Sequence, residues 1–376
     1  MSTESNHIEN DRYLASQIIT YLGNKRSLLR FIGEAIETVQ SKLKKDRLSI
    51  FDAFSGSGIV SRFFRKYASE LIVNDLETYA YIINSCYLSN ASDRNMSFLT
   101  DVFDDLQSHL HSCESHNTWT KGLMSVHYAP QDDTCIHPGE RVFYTTRNAH
   151  YIDSAREYID TLPQHIRHFF LAPLLAEASV HTNTSGVFKG FYKNSETGIG
   201  QFGGQKQHAL TRIMQDIQIP FPVFSNFDCK TLILQGNANT VIDSIDEVDI
   251  VYIDPPYNQH PYGSNYFMLN VIAENKITGR LSKVSGIDSE WNRSLYNKAR
   301  EAFSALDDFI RRVKAKYVLL SFNSEGFLSY DDINTMLSRY GNVVVKEIAY
   351  NTFRASRNLH NRNKHVLEYL YILEKT

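Results

Sequence analysis

Two short segments of this chain combine residue types and spacings suited to chemistry. Asp254-Pro255-Pro256-Tyr257 follows directly on the buried-strand pattern Ile250-Val251-Tyr252-Ile253. A proline pair makes a rigid loop whose carbonyl oxygens stay out of any helix or sheet ladder. The acid before the prolines and the aromatic after them set a hydrogen-bond acceptor and a stacking face around one planar group. A planar ligand with an amine donor, such as the exocyclic amine of a base, fits that arrangement. At average residue usage the tetrapeptide arises by chance in roughly one chain per thousand of this length. The duller alternative is a proline turn that caps a strand.

The second segment is Phe54-Ser55-Gly56-Ser57-Gly58, after the run Leu48–Ala53. Glycines at a strand-to-helix turn let a ligand approach the backbone, with a helix amino terminus behind it. Close helix–strand packing with no ligand is the competing explanation. The spacing differs from GxGxxG, which disfavours a dinucleotide. Asp75 ends the next strand candidate, where acids hold ribose hydroxyls in doubly wound sheets; it serves equally as a helix cap.

These loops need a scaffold, and the hydropathy pattern supplies one. Apolar steps of three and four from Ser27 to Leu43 predict a helix with one buried face. A strand at 48–54, the glycine loop, a helix at 59–68, a strand at 70–75 and a helix at 76–88 form a βαβ unit. Between 92 and 226 the chain turns polar and His-, Asn- and Gln-rich, with one apolar helix at 164–180. Strands resume at 231–236, 248–257 and 315–323, with a helix at 294–313. The runs 342–350 and 365–373 suit an antiparallel pair.

Composition removes several classes. In 376 residues, 42% are hydrophobic and 22% charged, an ordinary globular balance for two units or one domain with an insertion. The longest apolar stretch, Phe169 to Ala176, is too short to span a bilayer. The polar, acidic start carries no secretory pattern, and four scattered cysteines fit a reducing cytosol. A net charge of −3 rules out a basic coat protein but leaves local patches at 21–48 and 339–365. His109, His111, Cys113 and His116, with His127, Cys135 and His137 downstream, match no standard zinc spacing and read as a polar loop.

Taken in order, FSGSG, Val73-Asn74-Asp75, a long insertion and DPPY resemble the N6-adenine DNA methyltransferases of the DNA adenine methylase (Dam-like) type. Tyr21-Leu22-Gly23-Asn24-Lys25 is similar to that family's amino-terminal segment. Phe143-Tyr144-Thr145 with Ile152-Asp153, Asn183-Thr184-Ser185-Gly186-Val187-Phe188 and Glu368-Tyr369-Leu370 extend the likeness. Tyr257-Asn258-Gln259-His260-Pro261-Tyr262 lengthens the DPPY loop as in restriction-modification members. The resemblance covers roughly 20–90 and 140–373.

The resemblance implies an α/β fold: a Rossmann-like methyltransferase sheet that binds S-adenosylmethionine (AdoMet), with an inserted, largely helical or irregular target-recognition domain. Residues 1–11 would be a disordered tail, 12–91 and 227–376 the catalytic domain, and 92–226 the insertion. Asp254, Pro255, Pro256 and Tyr257 would be catalytic. Tyr21, Gly23, Lys25, Asp52, Phe54, Gly56, Gly58, Asp75, Asn237 and Asp254 would bind AdoMet. Asn237 stands where the family often has an acid, and its amide can still meet an adenine edge. Asn183, Lys193, Arg354, Arg357, Arg362 and Lys364 would contact DNA. The implied enzyme needs no metal, works as a monomer on double-stranded DNA in the cytoplasm, and has a restriction endonuclease as cognate partner. An RNA base N-methyltransferase and a DNA-binding module with a decayed catalytic domain are the competing functions.

Overall fold

The computed structural model describes residues 8–351 and 365–376. Its centre is a seven-stranded sheet of β1 (Leu48–Asp52), β2 (Ala68–Asp75), β3 (Lys230–Gln235), β4 (Val248–Ile253), β5 (Ala315–Asn323), β6 (Gly341–Asn351) and β7 (His365–Lys375). The strand order is β3-β2-β1-β4-β5-β7-β6. β1 to β5 run parallel, and β7 enters antiparallel between β5 and β6. The two closing runs pair antiparallel, as their composition suggested, but the last strand lies inside the sheet.

All six residues of β4 are buried, which fits its apolar, β-branched sequence, broken at Asp249. Phe51 pairs with Ile72 on one side and Val251 on the other, so β1 and β4 share the middle of the sheet. Helices α1 (Leu29–Leu43) and α2 (Ile59–Phe64) cover one face. α3 (Thr78–Tyr87) packs against β2 and β3. The helix after the glycine loop stops at Phe64, short of the predicted 68. Tyr67 N donates back to Phe64 O, and Ala68 already opens β2.

The insertion holds α4 (Met96–His116), α5 (Leu123–His127), α6 (Thr146–Thr161), α7 (His168–Val180) and α8 (Leu210–Met214). α4 corrects the polar-loop reading of the His109–His116 cluster. Leu99, Val102, Leu106, Leu110 and Cys113 recur at steps of three and four and are buried, a stripe masked in the sequence by the Asp, Ser and His residues around it. The Asn95 side chain caps its start, accepting from Phe98 N at 3.1 Å.

After β3 come α9 (Ala238–Val241), α10 (Tyr262–Asn265) and α11 (Phe267–Glu274), then α12 (Ala299–Arg312) and α13 (Tyr330–Leu337). α12 and α13 pack on the sheet face opposite α1. The insertion has a small cluster of its own around Val142, Phe202 and Ile213, but most of its apolar side chains join a larger, shared one. Leu106, Ile152, Phe170 and Leu174 share one apolar cluster with Tyr79 and Ile83 of α3 and Phe267 and Leu269 of α11. That shared packing fixes the insertion against the helices that border the carboxyl ends of the strands. Among the described residues, no helix is long and apolar enough to cross a membrane.

Candidate active site

Strand order reverses between β1 and β4, and a doubly wound sheet opens a crevice at the carboxyl ends of such neighbours. The glycine loop leaves β1 there and the Asp-Pro-Pro-Tyr loop leaves β4. Between them lies a cleft, open to solvent at its mouth.

The glycine loop is set by hydrogen bonds to its neighbours. Ser55 N donates to Asn74 O at 3.0 Å, and Gly56 N to Asp75 Oδ2 at 2.7 Å. Asp75 Oδ1 accepts from Glu77 N at 2.9 Å, so this carboxylate links β2, the loop and the start of α3. Gly58 has φ +76°, and a β-carbon there would lie 2.4 Å from Asn84 Oδ1. A side chain fits neither that backbone conformation nor that space.

Across the cleft, Asp254 meets two partners far away in sequence. Lys25 Nζ lies 3.2 Å from Asp254 Oδ1 and 2.6 Å from Glu368 Oε1. The side chains are 2% exposed for Lys25, 1% for Glu368 and 17% for Asp254. Ser321 Oγ also donates to Glu368 Oε1. Burial opposes the Lys25 charge, but the two carboxylates outweigh it and hold the ammonium well above the ordinary lysine range. Burial also pushes the Asp254 carboxyl up, to about 7, with Lys25 pulling it down and Glu368 pushing it further up.

Pro255 is buried, Pro256 lines the cleft, and the Tyr257 ring stands edge-on to Phe322 with centroids 5.8 Å apart. The Tyr257 carbonyl accepts from Phe327 N at 2.9 Å, which fixes the loop's exit. Tyr21 stacks on Tyr262 and Tyr266, and its segment is pinned by Leu22 N donating to Tyr266 Oη at 2.7 Å.

Of the residues singled out in the sequence, Tyr21, Gly23, Lys25, Asp52, Phe54, Gly56, Asp75, Asn237, Asp254 and Pro256 line this one cleft. Gly58, Pro255 and Tyr257 border it from the same loops. The sequence reading missed Glu77, Asn292, Tyr296 and Asn297, which belong to no motif. Glu77 accepts from Asn270 and Asn292, and Asn297 Nδ2 donates to Asn258 O at 2.8 Å, tying the cleft's roof to the DPPY loop. Glu77 follows Asp75 by two residues at a predicted strand end, the one signal that pointed to it.

The cleft is rich in acid. Burial lifts both Asp52 and Glu77 to about 7, against hydrogen bonds that favour their ionised forms. Among the described residues, Asp52 Oδ1 is buried without a hydrogen-bond partner, while Oδ2 accepts from Ser61 Oγ. Such a site favours a ligand that brings positive charge and donors.

Residues 21–336 match the family model for D12 class N6 adenine-specific DNA methyltransferases. The chain belongs to that family. It is 29% identical to the type II methyltransferase M.NlaIII of Neisseria lactamica, over 95% of this chain and 100% of that one. It is also 29% identical to M.CviAII of Paramecium bursaria Chlorella virus 1, over 94% and 98%. Modification methylase StsI of Streptococcus sanguinis matches at 26% over 94% of this chain and 52% of its own length.

For a D12 class methyltransferase, the cleft's chemistry suits S-adenosylmethionine. The glycine cradle, the partnerless Asp52 oxygen and the surplus of carboxylates match a ligand with a sulfonium, an ammonium and ribose hydroxyls. The expected contacts to nucleic acid fare differently. Asn183 is completely buried: its Nδ2 donates to Val142 O at 2.8 Å and its Oδ1 accepts from Gly203 N at 2.9 Å. In this conformation its amide shapes the 183–203 loop instead of facing outward. Lys193 is exposed at a hairpin bridged to Gly200, with Nζ over the Phe191 ring. Arg354, Arg357, Arg362 and Lys364 lie outside the described residues.

Proposed function

We propose that this chain is a site-specific DNA adenine N6-methyltransferase that serves as the modification enzyme of a restriction-modification system. The observation that carries the reading is the Asp254–Tyr257 loop at the end of β4, opening into the same cleft as the glycine loop of β1. Bound AdoMet supplies an electrophilic methyl group on a sulfonium whose thioether leaves with the bonding electrons. Gly56 and the Phe54 ring would cradle it, Asp52 would receive its ammonium, and Asp75 its ribose. Asn237 would meet its adenine edge.

Adenine N6 is a poor nucleophile because its lone pair is delocalised into the ring. Asp254 and the Pro255 carbonyl would accept its two hydrogens, draw the nitrogen toward sp³ geometry and aim the lone pair into the cleft. Tyr257 would stack on the base. Positioning in a desolvated pocket would supply on the order of several kcal/mol. Because N6 is paired in duplex DNA, the adenine must be flipped out, at about a few kcal/mol.

Residues 12–91 and 227–376 would form the catalytic unit and 92–226 the unit that reads the DNA sequence, with Lys193 and the 354–364 basic stretch on phosphates. The acting species would be a monomer on duplex DNA in the cytoplasm, needing no metal, with a cognate endonuclease as its biological counterpart. The two full-length relatives named as type II methyltransferases support that setting.

The test is methyl transfer from labelled AdoMet to unmethylated genomic DNA, read by nucleoside mass spectrometry. N6-methyladenine that disappears with Asp254→Ala is the expected result. Methylated RNA with unmodified DNA would overturn it in favour of an RNA base methyltransferase.

A further inference from the structure

Methyl transfer leaves N6 with one proton too many. The new N–C bond has formed and the electron pair of the broken S–C bond has left with the thioether, so the proton must pass to a base. Resting on the proposed function, we infer that Glu368 is a positioning residue for this step. By holding Lys25 back from Asp254, it leaves the Asp254 carboxylate free to take the proton that N6 sheds.

The geometry is asymmetric. Lys25 Nζ donates to Glu368 Oε1 at 2.6 Å and stands farther off, at 3.2 Å, from its other ion-pair partner, Asp254 Oδ1. Ser321 on β5 donates to the same Glu368 oxygen and fixes it. Glu368 itself is held on β7, one strand in from the sheet's edge, paired with Asn323 of β5 and Ile348 of β6. The antiparallel insertion of β7 is what carries this acid beneath the cleft.

A buried carboxylate on a core strand is costly, and one lysine against one aspartate would be the cheaper arrangement. Such a tight pair would consume an Asp254 lone pair and depress its proton affinity. With Glu368 present, two acids share one ammonium and the surplus negative charge falls on the more exposed of them. The upward shift of Asp254 to about 7 agrees with this. The groups facing Asp254 are Lys25 from the amino-terminal segment, Glu368 from β7, Asp52 from β1, Tyr252 from β4, Tyr257 from its own loop and Tyr262 from α10. Among the described residues facing Asp254, Lys25 is the one cation, and Glu368 is the second acid in contact with it.

The experiment is a carboxyl titration of the full-length protein without DNA, using ¹³C-aspartate labelling with Asp254→Asn to assign the signal. Asp254 is expected to titrate near neutrality in the native protein and at least one unit lower in Glu368→Gln, where Lys25 closes on it. Lys25→Met should move it the other way, and Glu368→Asp should recover part of the native value. Single-turnover methylation of DNA across pH should then show the acidic limb of Glu368→Gln displaced downward, with a plateau lowered about tenfold. An Asp254 titration unmoved by Glu368→Gln, with rates lowered equally at every pH, would mean a merely structural acid and would overturn the inference. If the titrations shift as expected but even the native enzyme leaves DNA unmethylated, the proposed function fails while the Glu368–Lys25–Asp254 relation stands.

Discussion

The ring of Tyr21 lies on that of Tyr262, centroids 4.9 Å apart and planes 12° from parallel. One residue precedes the first helix and the other opens α10, just beyond the DPPY loop. Tyr262 Oη donates to Leu22 O at 3.2 Å and strengthens the same junction. The segment that supplies Lys25 and the loop that supplies Asp254 are thereby built as one unit. Tyr21 also closes over the glycine loop, since a β-carbon on Gly56 would lie 2.9 Å from its ring.

Replacing Tyr21 by Ala removes the stack and opens that corner of the cleft. AdoMet affinity should fall about tenfold, the scale of one aromatic contact with its buried area. Tyr21→Phe keeps the ring and should stay within about threefold of the native protein on that scale. Isothermal titration with AdoMet measures both. Equal losses in the two variants would assign the effect to the hydroxyl bridging to Tyr79 and not to the stack.

Asp254→Asn keeps the size of the side chain but removes its charge and its basicity. Single-turnover methylation should drop by at least about a hundredfold, comparable to deleting a preorganised electrostatic contact. Cofactor affinity should change by only a few-fold, because the loss falls on the step that acts on N6. Quench-flow with labelled AdoMet, alongside titration of cofactor binding, separates the two.

The buried acids make stability depend on pH in an uncommon direction. Asp52 has an ordinary carboxylate pKa near 4 in the unfolded chain and about 7 when folded. Between those values the folded state keeps a proton that the unfolded state has released. This contribution is complete below about 4 and is lost as pH rises through 7. Glu77 and Asp254 act with the same sign. Asp52→Asn should therefore melt at a higher temperature than the native protein at pH 8, with the gap narrowing at pH 5. It should also bind AdoMet more weakly. Thermal melts at the two pH values check the stability half, and a variant that is destabilised at pH 8 would refute it.

How much of this was legible in the sequence depends on the range of the interaction. All seven strands could be read because β-branched apolar runs are local, and the two loops because glycine and proline restrict their own backbone. The place of β7 could not, since nothing in His365–Lys375 says which neighbours it will find. Glu368 was seen as a strand match, yet its bond to Lys25 exists only after β7 inserts between β5 and β6. The α4 stripe was present as Leu99, Val102, Leu106 and Leu110, but charged and histidine neighbours hid its period. Asn183 stood out as part of a motif, and burial, which a motif does not encode, turned its amide inward.

Gly58 offers a sharp test of the cleft's construction. Its φ of +76° costs a non-glycine residue roughly 1–2 kcal/mol. An alanine methyl would also press on Asn84 Oδ1, and Asn84 cannot simply turn away. Its Nδ2 donates to Ser55 Oγ at 3.0 Å and to Ala80 O at 2.9 Å, so moving it disturbs both the loop and α3. Gly58→Ala should lower the melting temperature by several degrees, in proportion to a loss of about 2 kcal/mol, and should weaken AdoMet binding at least tenfold. Adding Asn84→Ala removes the clash but not the backbone strain. The double variant should therefore lose less, relative to Asn84→Ala alone, than Gly58→Ala loses relative to the native chain. Strict additivity in a double-mutant cycle of melting free energies would show that Asn84 does not press on this turn.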